Sequence, residues 1–182
     1  MSSGQNWTFT VSPLQAGHEV RISAKASNKA PSYYTVQTVS YAGSGTEEDP
    51  YRVYTADDLT GVYRKGYYKL MNDIDLTEWI QTNSPSEGWI AVGREGNSMS
   101  QFDGNGHKIT GLWTNTNRDY MGLFSMFSNG TIKNLTVETA KGKRVKGGNY
   151  TGVLIGQNSN GRILNCTVKG DVLGTLNVGG TS

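Results

Sequence analysis

The feature that most limits what this chain can fold into is an internal repeat. Gly130-Thr131-Ile132-Lys133-Asn134-Leu135-Thr136-Val137 aligns with Gly161-Arg162-Ile163-Leu164-Asn165-Cys166-Thr167-Val168 at a constant offset of 31 residues. Upstream, Gly122-Leu123-Phe124 matches Gly152-Val153-Leu154 at an offset of 30, so the unit tolerates a one-residue insertion. An earlier copy is read at Ile109-Thr110-Gly111-Leu112-Trp113-Thr114, 23 residues before the middle one. Self-similarity at such spacings marks units that stack, because one unit alone cannot bury its apolar face.

The spacing inside the motif carries geometry. Leu135 and Val137 are two residues apart and face the same way in a strand. Ile132 and Leu135 are three apart, so both can be buried only if the backbone turns a corner between them. The corner residue is Asn134, Asn165 or, in the earliest copy, Gly111. Asn and Gly enter left-handed backbone at the lowest cost. Corners recurring at matched positions predict coils stacked about 4.8 Å apart with strands pairing in parallel. Asn134 and Asn165 then become vertical neighbours whose amides form a ladder. Ile132 over Ile163, Leu135 over Cys166 and Val137 over Val168 fill the interior. The expected fold is all-β: a right-handed parallel β-solenoid (β-helix). Residues 51–182 would make about five coils, a rod on the order of 25 Å long. The last residues, Asn177-Val178-Gly179-Gly180-Thr181-Ser182, read as the start of another coil, and the parent protein is expected to continue.

Composition agrees. The chain has 24 glycines in 182 residues and 35% hydrophobic residues, which suits strands and turns and falls far short of collagen's glycine period. Aromatics at 10% argue against disorder. A net charge of +2 gives no global field for nucleic acid, so no such partner is expected. The single cysteine, Cys166, rules out an intrachain disulfide and reads as a small core residue. No apolar run approaches the ~18 residues of a membrane span, and no basic-then-apolar leader follows Met1. No membrane insertion by these residues is expected.

Two regions follow one another. Residues 1–42 hold alternating runs at 7–11, 20–24 and 34–39, read as the closing strands of a truncated antiparallel immunoglobulin-like sandwich. Residues 43–182 form the solenoid, entered through the small and charged stretch Ala42-Gly43-Ser44-Gly45-Thr46-Glu47-Glu48-Asp49-Pro50. After a strand at Tyr51-Arg52-Val53-Tyr54, Thr55 can cap a short helix carrying Asp57 and Asp58 in its first turn and burying Leu59 and Val62. This one capping helix would cover the open end of the stacked sheet.

Several segments together resemble GLUG-repeat proteins. They are Gly45-Thr46-Glu47-Glu48-Asp49-Pro50-Tyr51 with Thr55-Ala56-Asp57-Asp58-Leu59; Asn72-Asp73-Ile74-Asp75-Leu76; Phe102-Asp103-Gly104-Asn105-Gly106-His107-Lys108-Ile109; and Gly152-Val153-Leu154-Ile155-Gly156. The resemblance covers roughly residues 43–182. It implies a secreted or cell-surface bacterial protein, found especially in gut Bacteroidetes and Firmicutes, often adhesin-like and following immunoglobulin-like domains. Such repeats also occur in the non-catalytic part of some IgA-cleaving metallopeptidases.

Chemistry is sparse. His18-Glu19 begins like a zinc-peptidase motif, but Ile22 stands where the second histidine is needed. His107 lies in a Gly-Asn-Gly turn and reads as solvated. Parallel β-helices also host polysaccharide-cleaving enzymes, whose mechanism needs a carboxylate pair on one face. The outward positions of the clear repeats are Lys133, Thr136, Glu138, Arg162, Thr167 and Lys169, which hold one carboxylate. No catalytic residue and no resident metal or cofactor is assigned. Calcium is the one ion with hard oxygen ligands on offer, from Asp73, Asp75 and Asp103, although Asp-rich turns are common without metal.

Binding is better supported. Trp79, Trp89, Trp113 and Tyr120 fall in the less regular coils, where aromatic faces either stack on sugars or fill the core. Lys141, Lys143, Arg144 and Lys146 form a basic loop, either a solvated insertion or a contact for an anionic glycan. The candidate binding residues are therefore Trp79, Trp89, Trp113, Tyr120, Lys143 and Arg144, with a host or bacterial glycan or a matrix protein as partner. The reading is an extracellular, non-catalytic structural or binding segment. The alternative is an accessory β-helix of a carbohydrate-active enzyme or IgA-cleaving-type metallopeptidase.

Overall fold

The computed structural model describes residues 42–93 and 99–179, together with the backbone of two short strands upstream. Those strands, β1 (Glu19–Arg21) and β2 (Val36–Thr38), pair antiparallel with Glu19 opposite Thr38. The strand read at 7–11, His18, the rest of the runs at 20–24 and 34–39, and residues 180–182 lie outside the described residues.

From residue 42 the chain winds into a parallel β-solenoid. Its first level is β3 (Tyr51–Val53) followed by helix α1 (Ala56–Thr60); its second is β4 (Tyr67–Leu70), β5 (Ile74–Asp75) and helix α2 (Thr77–Asn83). The third holds β6 (Gln101–Asp103), β7 (Lys108–Leu112), β8 (Thr114–Asn115) and β9 (Phe124–Ser128). The fourth holds β10 (Thr131–Lys133), β11 (Thr136–Thr139), β12 (Arg144–Lys146), β13 (Thr151–Gly152) and β14 (Ile155–Ser159). The fifth holds β15 (Arg162–Leu164), β16 (Thr167–Lys169), β17 (Asp171–Leu173) and β18 (Val178–Gly179).

Stacking these levels produces three main faces. The first is a five-stranded sheet in the order β15-β10-β6-β4-β3, the second β16-β11-β7-β5 and the third β17-β12-β8. Smaller ladders join β9 to β14 and β13 to β18. All of these pairings are parallel. Only the levels from β6 onward carry all three faces. The rod is therefore about three full turns rather than the five expected, because the first two levels leave the solenoid path for helices.

Register builds the core as vertical columns. Tyr51, Tyr68, Phe102, Ile132 and Ile163 stack on the first face. Ile74, Ile109, Val137 and Val168 stack on the second, and Thr114, Val145 and Val172 on the third. Phe102, Ile109, Ile132, Val137 and Val145 are fully buried. Burial also pushes the Tyr68 hydroxyl up to about 12. The fifth level has nothing over it, so Ile163 is 45% exposed although Ile132 below it is 0% exposed.

Helix α1 has the anticipated cap. The Asp58 amide donates to Thr55 Oγ1 at 3.1 Å, while Asp58 Oδ2 accepts from the amides of Thr55 at 3.0 Å and Tyr54 at 2.9 Å. This is a reciprocal capping box, and Leu59 and Val62 are fully buried beneath it. Helix α2 is a second helix that the sequence reading did not foresee. It runs seven residues, too short for its single buried pair, Leu76 and Ile80, to announce a period. Its opening is fixed by Asp75 Oδ1, which accepts from the Thr77 amide at 2.9 Å.

The corners are built on asparagine. Asn134 and Asn165 have φ of 54° and 51°, in the left-handed region. Gly111 is not a member of this column. The register Asp103↔Lys133 places Gly104 beside Asn134, and a Cβ there would lie 2.5 Å from the Asn134 carbonyl oxygen. Gly111 instead sits in β7 at φ 76°, where Ile109 pairs with Val137 but Leu112 pairs with Thr139. It is a β-bulge that returns Leu112 to the core. The 23-residue copy misled because bulge and corner share one local pattern, a glycine or asparagine between two inward apolar residues.

Candidate ligand-binding groove

The third face owes its side-chain layout to strand alternation. Thr114 and Val145 point inward and are buried, which turns Trp113, Asn115, Arg144 and Lys146 outward. The buried Thr114 hydroxyl donates to the Lys146 carbonyl at 2.8 Å, tying β8 to β12. Arg144-Val145-Lys146 is thus a strand, not the loop read from its charge. The loop is only the turn before it, where the Lys143 amide donates to the Ala140 carbonyl at 2.9 Å and Gly142 supplies φ 71°.

The opposite wall comes from the segment after α2. The Trp89 amide donates to the Trp113 carbonyl at 2.8 Å, and the Asn115 amide to the Glu87 carbonyl at 2.8 Å. Gly88 bridges Thr114 in antiparallel sense, and a Cβ at Gly88 would collide with the Trp113 carbonyl. Pro85 and Ser86 are thereby held beside β8. Between these walls lies a groove of about 510 Å³, also lined by Trp113, Asn115, Lys143, Arg144, Lys146 and Leu173. Inside it, Lys143 Nζ stands 5.0 Å from the centroid of the Trp113 ring, and Lys146 Nζ donates to Asn115 Oδ1 at 3.2 Å. No Asp or Glu lines the groove.

Three of the residues singled out from sequence therefore meet: Trp113, Lys143 and Arg144. The other three do not join them. Trp89 is 1% exposed and its indole Nε1 donates to the Leu123 carbonyl at 3.0 Å, so it is a core residue and offers no surface to a ligand. Trp79 packs on it with ring centroids 4.8 Å apart and donates to Asp57 Oδ1 at 2.7 Å, joining α2 to α1. Tyr120 stacks on Tyr150 at 5.0 Å with the planes 6° apart, at another corner of the coil. Lys146, Asn115 and Ser86 complete the groove. The Arg144-x-Lys146 alternation, matched by Asp171-Val172-Leu173 one coil later, was the signal available for this face.

The carboxylates weighed for calcium or catalysis are committed elsewhere. Asp73 Oδ1 accepts from the Lys108 amide at 3.1 Å and meets His107 Nδ1 at 3.2 Å, so the carboxyl is held below its usual range. Asp75 is lowered by its bonds to Thr77. Asp103 Oδ1 accepts from Asn134 Nδ2 at 3.0 Å, with Lys133 Nζ 3.6 Å from Oδ2. Glu138 pairs with Lys169 at 2.8 Å, which lowers its carboxyl in turn. Cys166 is half-buried, and desolvation pushes its thiol up.

With this geometry in place, the comparisons can be stated. Residues 147–173 match the GLUG motif. The GLUG stretch spans β13 to β17 and so contributes Leu173 to the groove. The chain is 36% identical over 107 residues to a protein of Evansella cellulosilytica provisionally named a Gly-rich membrane protein. That match covers 55% of this chain and 12% of the relative. It is 34% identical over 158 residues to halomucin of Haloquadratum walsbyi, covering 80% of this chain and 2% of halomucin. Among solved structures, a chain from Bacteroides ovatus provisionally called an immunoglobulin A1 protease matches at 18% identity with a TM-score of 0.38. There 74% of this chain and 61% of the other are covered.

Proposed function

We propose that this chain is a rigid, non-catalytic segment of a bacterial adhesin-like surface protein, and that its third face meets a glycan or matrix protein outside the cell. The observation that carries the reading is the groove itself. Pairing of β8 with β12 gathers Trp113, Lys143 and Arg144 on one wall although some thirty residues separate them in sequence. Stacked coils supply the rigidity, since each level lends its backbone donors and acceptors to the next. The outward carboxylates Asp103 and Glu138 are engaged in ion pairs between coils, which favours a structural over an acid–base role. The GLUG stretch and the names of the two far longer relatives favour a surface setting.

The test is capture of the purified segment on a glycan array and on immobilised matrix proteins, with Trp113→Ala in parallel. The reading expects capture by at least one ligand and its loss in the variant, whose groove lacks a wall. Clean negatives on both surfaces would reduce the segment to a spacer and overturn the binding role.

A further inference from the structure

We infer that the groove takes an acidic saccharide, with Arg144 receiving the carboxylate or sulfate between Lys143 and Lys146; this rests on the display role proposed above. The first argument is charge left without an internal partner. Elsewhere on the rod, cations meet carboxylates: Arg52 with Asp49 at 2.9 Å, Arg118 with Glu87 at 2.8 Å, and Lys169 with Glu138 at 2.8 Å. Among the described residues, neither Lys143 nor Arg144 has such a pair. Asp171, which stands opposite Arg144 in register, lies outside the groove lining. Three cations converging without a carboxylate repel one another, and an incoming anion relieves that repulsion.

The second argument is positioning. With Lys143 Nζ 5.0 Å from the centroid of the Trp113 ring, the ring holds the ammonium at the groove. Trp113 is then a positioning residue for a cation, rather than the open stacking platform its type suggests. Arg144 offers the planar fork that matches a carboxylate or sulfate in bidentate fashion.

The third argument separates a saccharide from an acidic peptide. An extended peptide gains affinity by pairing its main chain with a sheet edge. Here the ligand would lie over the side-chain face of β8, β12 and β17, whose main-chain groups are turned into the sheet. What the face offers instead are side-chain partners for hydroxyls, the Asn115 amide and the Ser86 hydroxyl, and apolar surface at Pro85 and Leu173 for the C–H face of a sugar. A volume of about 510 Å³ falls within the range of small-ligand sites.

The experiment is calorimetric titration of the whole chain with polygalacturonate, dextran sulfate, neutral dextran and poly-glutamate, at low salt and at about 0.3 M salt. At least one acidic polysaccharide should bind, more weakly in salt, and neutral dextran should not; which of the two binds identifies carboxylate or sulfate. Lys143→Ala with Arg144→Ala should weaken binding about tenfold or more. Trp113→Leu should weaken it less. Arg162→Ala, which removes the same charge from the first face, should leave it unchanged; all variants are first checked for wild-type thermal unfolding. Equal binding of neutral dextran or of poly-glutamate, or full affinity in the double variant, overturns the inference. If the segment still captures a neutral glycan or a matrix protein, only the acidic specificity fails; if it captures nothing, the display role fails with it.

Discussion

The side-chain amide of Asn165 donates to the side-chain oxygen of Asn134 at 3.0 Å, across 31 residues of sequence. Asn134 in turn donates to Asp103 Oδ1 at 3.0 Å, so one polar column runs through three levels at a single corner. Each asparagine does two things there: its backbone turns at positive φ, and its amide links the level below to the level above. Few residue types do the first, and glycine, which does it best, cannot do the second.

Asn134 substitutions should separate these roles. Asn134→Gly keeps the corner and loses both amide bonds, for a cost of about 1–2 kcal/mol. Asn134→Ala loses the bonds and adds the left-handed backbone penalty of roughly another 1 kcal/mol. Urea unfolding of both variants should rank alanine below glycine. The reverse order would mean that the corner does not depend on backbone handedness.

Ile132 and Ile163 occupy the same position in successive copies, but one is sealed and the other is 45% exposed. Ile132→Ala should cost about 2–5 kcal/mol by opening a cavity under the fifth level. Ile163→Ala should cost well under half of that, since its side chain gives up little buried area. Equal losses from denaturant midpoints would show that a further layer covers Ile163 in solution.

Gly111→Ala should destabilise by more than the cost of an ordinary surface change. The residue holds φ 76°, and a Cβ there would meet Asp75 Oδ1 at 2.6 Å and Thr77 Oγ1 at 2.7 Å. Left-handed backbone alone costs roughly 1–2 kcal/mol for alanine. The start of α2 must shift as well, so loss of protection at the Thr77 amide in hydrogen exchange is the specific readout.

Stability should fall on the acid side. Asp73, Asp75 and Glu138 all have carboxyls held below their ordinary range, chiefly by the Lys108 amide, by Thr77 and by Lys169 respectively. A group whose folded value is depressed contributes stability above its unfolded value and loses it as pH falls through the folded one. Denaturant midpoints should thus stay level from about pH 7 to pH 5 and drop below about pH 4. Asp75→Asn should flatten that drop; an unchanged slope would assign the acid loss to other carboxylates.

Much of the fold was legible because its determinants are local. The Ile-x-Asn-Leu/Cys-Thr-Val unit carries its own inward pattern, corner and vertical partner, and Thr55 with Asp58 carries a helix start. Helix α2 escaped because seven residues with one buried pair make no period. The Gly111 bulge was mistaken for a corner because the two share one short pattern, and only pairing partners tell them apart. Of the groove, the basic cluster and Trp113 were visible as separate features. Trp89 was read as a surface candidate, yet it is sealed by packing against Trp79 and the Leu123 segment.

By itself, the sequence determined the coil: a period near thirty residues, apolar positions that face one interior, and asparagines where the backbone must turn. These follow from side-chain alternation in strands and from the cost of left-handed backbone, both properties of a few adjacent residues. Tertiary structure alone decided that Lys143 lies over Trp113 and that Arg144 and Lys146 share the adjoining wall. That meeting depends on the length of chain between β8 and β12 and on the bulge at Gly111, which set the register in which distant strands pair.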